Sequence, residues 1–141
     1  MMPIEETERE IIEEFELFGE DWEGKYEHLI ELGKGLSPMK EELKTEERII
    51  KGCQSRVWLH SEMLDEKIIY TADSDAIITK GMVALMIRVL SGHNCKEIQE
   101  AKLEFIDKIG LKEHLSPTRA NGLVSMIKQM KMDALALGLK N

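Results

Sequence analysis

Long apolar runs are missing from this 141-residue chain; the longest uninterrupted one is Met82 to Ile87. That is far short of the stretch needed to span a bilayer. Basic charge is also in deficit, with 19 Lys and Arg against 27 Asp and Glu, a net charge of −8. A nucleic-acid binder needs a basic footprint, and no segment supplies one. Acidic membrane surfaces are disfavoured for the same reason. The amino terminus, Met-Met-Pro-Ile-Glu-Glu-Thr-Glu-Arg-Glu, is acidic where a signal peptide is basic and then apolar. The expected location is therefore the cytosol or a cytosol-like compartment. Cysteine is scarce, with Cys53 and Cys95 alone. In a reducing compartment these should be free thiols, and their spacing fits no common zinc pattern. Internal repeats, low-complexity segments and domain linkers are absent too. A single domain over residues 1–141, long enough to bury its own core, is the reading that remains.

What is present is helical periodicity at both ends and strand alternation between. A first helix should open at Thr7, with Thr7 and Glu10 as a capping box, carry Ile11, Ile12, Phe15 and Phe18 on one face, and stop at Gly19. Asp21 can cap a second, bearing Trp22, Tyr26, Leu29 and Ile30, with Gly33 and Gly35 as left-handed stops before Pro38. Met39 to Arg48 reads as a charged surface connection. Ser55 to Glu62 alternates, placing Val57, Leu59 and Ser61 opposite Trp58, His60 and Glu62. Lys67 to Thr71 pairs with it through Met63–Glu66, and Arg48–Ile50 adds a short third strand. Ser74 or Asp75 should cap a buried helix from Ala76 to about Leu90, apolar on most faces and stopped by Gly92. Another helix runs from Asn94 and Glu97 to Gly110. Ser116-Pro117 opens the last one, which carries Leu123, Ile127, Met130, Ala134 and Leu137. The fold class is α+β: a small antiparallel sheet of about three strands with helices on one face.

The chemistry concentrates at Gly52-Cys53-Gln54-Ser55, between two strands. Gly52 lets the chain turn sharply and lets a partner approach. Lys51 and Arg56 flank the thiol, and nearby positive charge favours thiolate. A lone cysteine is more often a small core filler; the glycine and the two cations strengthen the nucleophile reading, and both readings stay open on the residues alone. Cys95 follows Asn94 at a helix start, where a thiol can be acidified, but its polar context reads as incidental. His60 and His114 are candidates for general bases only by residue type, and both read as strand or surface residues. His28 and His93 read as solvent-facing or loop-bound. Trp58 reads as strand packing.

Gly52-Cys53-Gln54-Ser55-Arg56-Val57-Trp58 resembles the signature of the SufE family of sulfur acceptors. The resemblance continues through Leu43-Lys44-Thr45-Glu46-Glu47, Asp73-Ser74-Asp75-Ala76, Gly81 and the run from Leu115-Ser116-Pro117-Thr118-Arg119 to Gly122-Leu123. It implies that Cys53 takes sulfur as a persulfide from a SufS-type cysteine desulfurase, stimulates that enzyme, and passes the sulfur to a SufBCD-type scaffold. It implies pyridoxal phosphate on the desulfurase, no cofactor or metal on this chain, and a fold shared with IscU scaffolds. The chain would act through its covalent persulfide rather than as a stand-alone enzyme, and a homodimer is compatible with it. Gly52, Gln54 and Ser55 support the nucleophile. Arg119 is expected near the Cys53 loop, stabilising thiolate or persulfide charge, and Gly122 should be there because something needs the space. Val57 and the buried helix are expected to wall a pocket for the persulfide. Arg56 stands where the family more often has glutamine. An adaptor that regulates the desulfurase by contact alone is an alternative. An iron–sulfur scaffold is less well supported, since cluster ligation needs more cysteines or histidines together, and a thiol peroxidase lacks its resolving partner.

Overall fold

The apolar stripes predicted from spacing become the buried faces of helices, although several boundaries move. In the computed structural model, which describes residues 2–139, the chain runs α1 (Ile4–Glu16), α2 (Trp22–Lys34), β1 (Val57–Leu64), β2 (Lys67–Ser74), α3 (Ile77–Leu90), α4 (Cys95–Glu100), α5 (Phe105–Lys108), α6 (Leu111–His114) and α7 (Pro117–Leu139). Two 3-10 turns, Glu41–Leu43 and Glu46–Arg48, lie between α2 and β1. Among the described residues no helix is long and apolar enough to cross a membrane.

α1 buries Ile4, Thr7, Ile11 and Phe15, one stripe at helical spacing. It opens a turn earlier than expected: Pro3 stands at its N-cap, and Thr7 joins the buried stripe instead of capping. In α2 the Asp21 carboxylate accepts from the Gly24 N–H at 3.1 Å, as its residue type requires. Neither Gly33 nor Gly35 is left-handed, since Gly33 lies within the helix and Gly35 has φ −81°. Gly33 is there for packing. A Cβ on it would fall 2.9 Å from the Gly81 N of α3, while one on Gly81 would fall closer still to the Leu29 carbonyl oxygen. Two helices thus cross backbone against backbone, which only missing side chains permit.

The sheet has two strands among the described residues, paired antiparallel from Val57↔Ser74 to Leu64↔Lys67. Their connection is tighter than expected. Only Asp65 and Glu66 lie between them, both at positive φ (51° and 66°), the conformation of a two-residue hairpin turn. The third strand shrinks to one bridge, Ile49 with Trp58, and one bond from the Ile50 N–H to the Val57 carbonyl at 2.8 Å. The Glu46–Arg48 turn takes the residues before it. Val57, Leu59, Ile68, Tyr70 and Ala72 face the helices and are buried, so the α+β reading holds.

α3 buries eight of its residues, as its all-round apolarity demands. Neither Ser74 nor Asp75 caps it; Ala76 stands at the cap without a side-chain bond. The Ser74 hydroxyl accepts from the Ala76 N–H at 3.3 Å, and Asp75 is engaged elsewhere. The helix expected from Asn94 to Gly110 is broken. Its predicted Asn94–Glu97 capping box forms, yet α4 ends at Glu100 and Leu103 turns the chain at φ 57°. Lys131 Nζ of α7 donates to the Ala101 carbonyl at 2.7 Å and to Gln99 at 3.4 Å, satisfying carbonyls that a helix end leaves open. Fully buried Phe15, Leu29, Ile68, Met82, Phe105 and Leu123 tie these elements into one core, each such side chain contributing about 1.5–3 kcal/mol.

Candidate functional site

The loop that carries Cys53 is fastened at both ends. Gly52 sits at φ 95°, a conformation few side chains tolerate, and its Cα lies against the Ser125 side chain of α7, where a Cβ would collide. At the other end the Arg56 N–H donates to Asp75 Oδ1 at 3.0 Å, and the Asp75 N–H donates back to the Arg56 carbonyl at 3.2 Å. This reciprocal pair explains why Asp75 does not cap α3.

Between these anchors Cys53 is half-buried. Its thiol donates to the Gly122 carbonyl at 3.5 Å, a sulfur-length hydrogen bond. A Cβ on Gly122 would lie 3.5 Å from Sγ, so the space that this glycine keeps open is space beside the thiol. A cavity of about 80 Å³ opens there. Cys53, Gln54 and Ser55 form its rim, Thr79 and Met82 of α3 one wall, and Thr118, Arg119, Gly122 and Met126 of α7 the other. Helical spacing makes these walls: Thr79 and Met82 are three apart, and Thr118, Gly122 and Met126 recur every four.

Arg119 lines the cavity beside Cys53. Its backbone N–H donates to Ser116 Oγ at 3.3 Å, and its guanidinium has no carboxylate partner among the described residues. Val57 is displaced from its expected place; it lines a smaller void deeper in the core. Met82 and Met126 provide the apolar wall instead, the former from the buried helix as anticipated. Sequence periodicity marked methionines as core and passed over Thr79 altogether. The i, i+3 relation of Thr79 to Met82 was the available signal.

The electrostatics run against expectation. Burial pushes the Cys53 thiol above its ordinary pKa, with no neighbouring charge to offset it. The chain reverses at Gly52, so Lys51 lines a separate open cleft with Arg48 and His60, while Arg56 is exposed. The flanking cations therefore do not acidify the thiol in the free chain.

Cys95 opens α4 and packs on the far end of α7, where a Gly138 Cβ would fall 3.0 Å from its sulfur. Gly138 lies sixteen residues beyond Gly122, about 24 Å along the helix. The two thiols are too far apart to bridge. No histidine joins the cavity. His60 accepts from Arg48 Nε at 3.3 Å, and His114 stacks on Trp22 at 3.7 Å between ring centroids. His28 is partly covered, packing against Phe15 and Phe18 and meeting Glu14 at 3.1 Å, while His93 lies in the loop between α3 and α4 but is buried there in a bridge with Ile68. Trp58 lies beneath Lys44 Nζ, 5.6 Å from the ring centroid, consistent with packing. Among the described residues, no three His, Cys, Asp or Glu side chains gather as a metal site.

Residues 9–134 match the family model described as SufE, an Fe-S metabolism associated domain. SufE-like protein 1, chloroplastic/mitochondrial, of Arabidopsis thaliana is 39% identical over 143 aligned residues, covering 99% of this chain but 38% of that protein. An uncharacterized SufE-like protein of Rhizobium meliloti (strain 1021) is 42% identical over 130 residues, covering 89% of this chain and 92% of its relative. In fold, the chain is similar to a hypothetical protein from Thermus thermophilus solved in solution, with a TM-score of 0.78, 20% identity and full coverage of both chains.

Proposed function

The chain belongs to the SufE family of Fe-S metabolism associated domains, and from that premise we propose that Cys53 is a sulfur carrier loaded by a cysteine desulfurase. The observation that supports the reading best is the cavity of about 80 Å³ beside a thiol held on a glycine loop. A core-filling cysteine would be expected to pack without such a space.

In the proposed step the Cys53 thiolate attacks the outer sulfur of the donor's persulfide. The donor's S–S bond breaks, its cysteine leaves as thiolate, and an S–S bond forms at Cys53. One such bond is lost and one gained, so no outside oxidant or reductant is consumed. The proton already on the transferred sulfur travels with it or is lost to solvent. Burial holds the Cys53 thiol protonated in the free chain, so its proton must leave as the donor docks. The bond to the Gly122 carbonyl is lost at that point, and Arg119, the one charged residue of the cavity lining, offers compensation. Met82 and Met126 exclude water from the loaded sulfur. Pyridoxal phosphate remains on the donor, and a SufBCD-type scaffold is the downstream acceptor. A cytosol-like reducing compartment keeps both thiols free.

The test separates a carrier from a regulator that works by contact. Cys53→Ser should bind a SufS-type desulfurase with wild-type affinity and fail to stimulate sulfide release from cysteine. Full stimulation by Cys53→Ser would replace the carrier by the adaptor.

A further inference from the structure

We propose that the Thr79 hydroxyl donates a hydrogen bond to the anionic sulfur at Cys53, first as thiolate and then as the outer sulfur of the persulfide. Thr79 lies in the first turn of α3 and is only 5% exposed. Among the described residues its hydroxyl has no hydrogen-bond partner, not even the carbonyl four residues back that helical threonines commonly use. Every fully sealed side-chain nitrogen or oxygen among those residues does have a partner. The Thr79 oxygen is therefore not sealed, and the cavity that Thr79 lines is the one it shares with Cys53.

The surroundings identify what the hydroxyl waits for. The cavity is walled by Met82 and Met126, and Arg119 is its one charged lining residue; Lys51 and Arg56 flank the thiol in sequence but do not line it. While Cys53 is protonated, it donates to the Gly122 carbonyl and asks nothing of Thr79. Once the proton is gone, a carbonyl has no use to the sulfur, and a donor is required. An added sulfur extends the side chain by about 2.05 Å, into the same small volume, and a persulfide is more acidic than its parent thiol. A hydroxyl donor to such an anion forms a charge-assisted bond. Only the persulfide half of the inference rests on the carrier reading; the thiolate half stands without it.

The experiment measures the rate of Cys53 alkylation by iodoacetamide against pH, in the 141-residue chain carrying Cys95→Ser, and compares Thr79→Val and Thr79→Ser. Valine keeps the branched shape, and serine keeps the donor. Thr79→Val should raise the midpoint by about one unit, a roughly tenfold loss of thiolate below it, while Thr79→Ser stays with the parent. Coincident thermal melts confirm that all three are folded. Equal midpoints in all three, or equal shifts in both variants, would overturn the assignment. A desulfurase arm then follows sulfur on Cys53 by mass, and loaded Thr79→Val should lose it to glutathione several-fold faster than loaded parent. Should the midpoint shift appear while no sulfur ever loads the parent, the carrier reading fails and the hydroxyl assignment stands.

Discussion

Cys53 and Cys95 are alike in exposure and unlike in surroundings. Each is half-buried, and each packs against a glycine of α7. At Cys53 the glycine faces a cavity, the loop turns on a left-handed glycine, and helices supply two methionines and a threonine around the sulfur. At Cys95 the fit is closer, with the Gly138 Cβ position only 3.0 Å from sulfur, and the residue is part of a capped helix start. Exposure alone would not choose between them. What distinguishes a thiol able to gain an atom is adjacent unfilled volume, together with a backbone that cannot be replaced without strain.

That contrast can be broken at its hinge first. Gly52→Ala forces a side chain onto φ 95° and into Ser125, and urea unfolding should show a loss of about 1–3 kcal/mol. Gly35→Ala, at φ −81° with only ordinary contacts, should be neutral or slightly stabilising. Equal effects would mean that the Cys53 turn is not under conformational demand.

Filling the volume comes next. Gly122→Ala sets a methyl 3.5 Å from Cys53 Sγ, and sulfur loading should fall about tenfold, ~1.4 kcal/mol of activation free energy. Helix stability should hold or improve, since alanine is the better helix former. Gly138→Ala should leave loading unchanged, and a loss there as large as at Gly122 would erase the distinction between the thiols.

A smaller effect is expected from loosening the loop. Asp75→Ala removes the acceptor of the Arg56 N–H, a bond with a net contribution of about 0.5–1.5 kcal/mol. Cys53 should then alkylate a few-fold faster while Cys95 does not change, read by peptide mass after a timed pulse of reagent. Slower alkylation of Cys53 would show that Asp75 presents the thiol rather than restraining it.

The smallest effect is in pH dependence. Burial raises the Cys53 pKa, so the folded thiol keeps its proton to higher pH than the unfolded one. Its stabilising contribution is complete below the unfolded value, about 8.5, and is lost as pH rises through the folded value. Between about pH 7 and 10 the urea midpoint of the wild type should fall slightly more than that of Cys53→Ser. Parallel curves would mean that the thiol titrates as if exposed.

Local rules carried the sequence reading where one residue decides the outcome. Gly52 at a turn, Asp21 at a cap, Asn94 with Glu97 and Pro117 at a helix start all behave as their chemistry requires. Gly122 was legible as a position where something needed space, though not what. Tertiary neighbours were not legible. Gly33 looks like a helix stop until Gly81 is seen against it, and Lys51 looks like a thiolate partner until the reversal at Gly52 carries it into another cleft. Thr79 and Met126 enter the site because two helices meet there, forty-seven residues apart in sequence. Periodicity reports which face of a helix is buried, but not what it is buried against.

Whether Cys53 carries sulfur can be read by weighing the protein after incubation with a SufS-type desulfurase and cysteine, followed by peptide mapping under non-reducing conditions. The mass of one added sulfur atom is expected on the peptide that contains Cys53, and none on the peptide that contains Cys95. Sulfur on Cys95 alone, or on neither while the desulfurase turns over and binds the chain, would contradict the carrier reading.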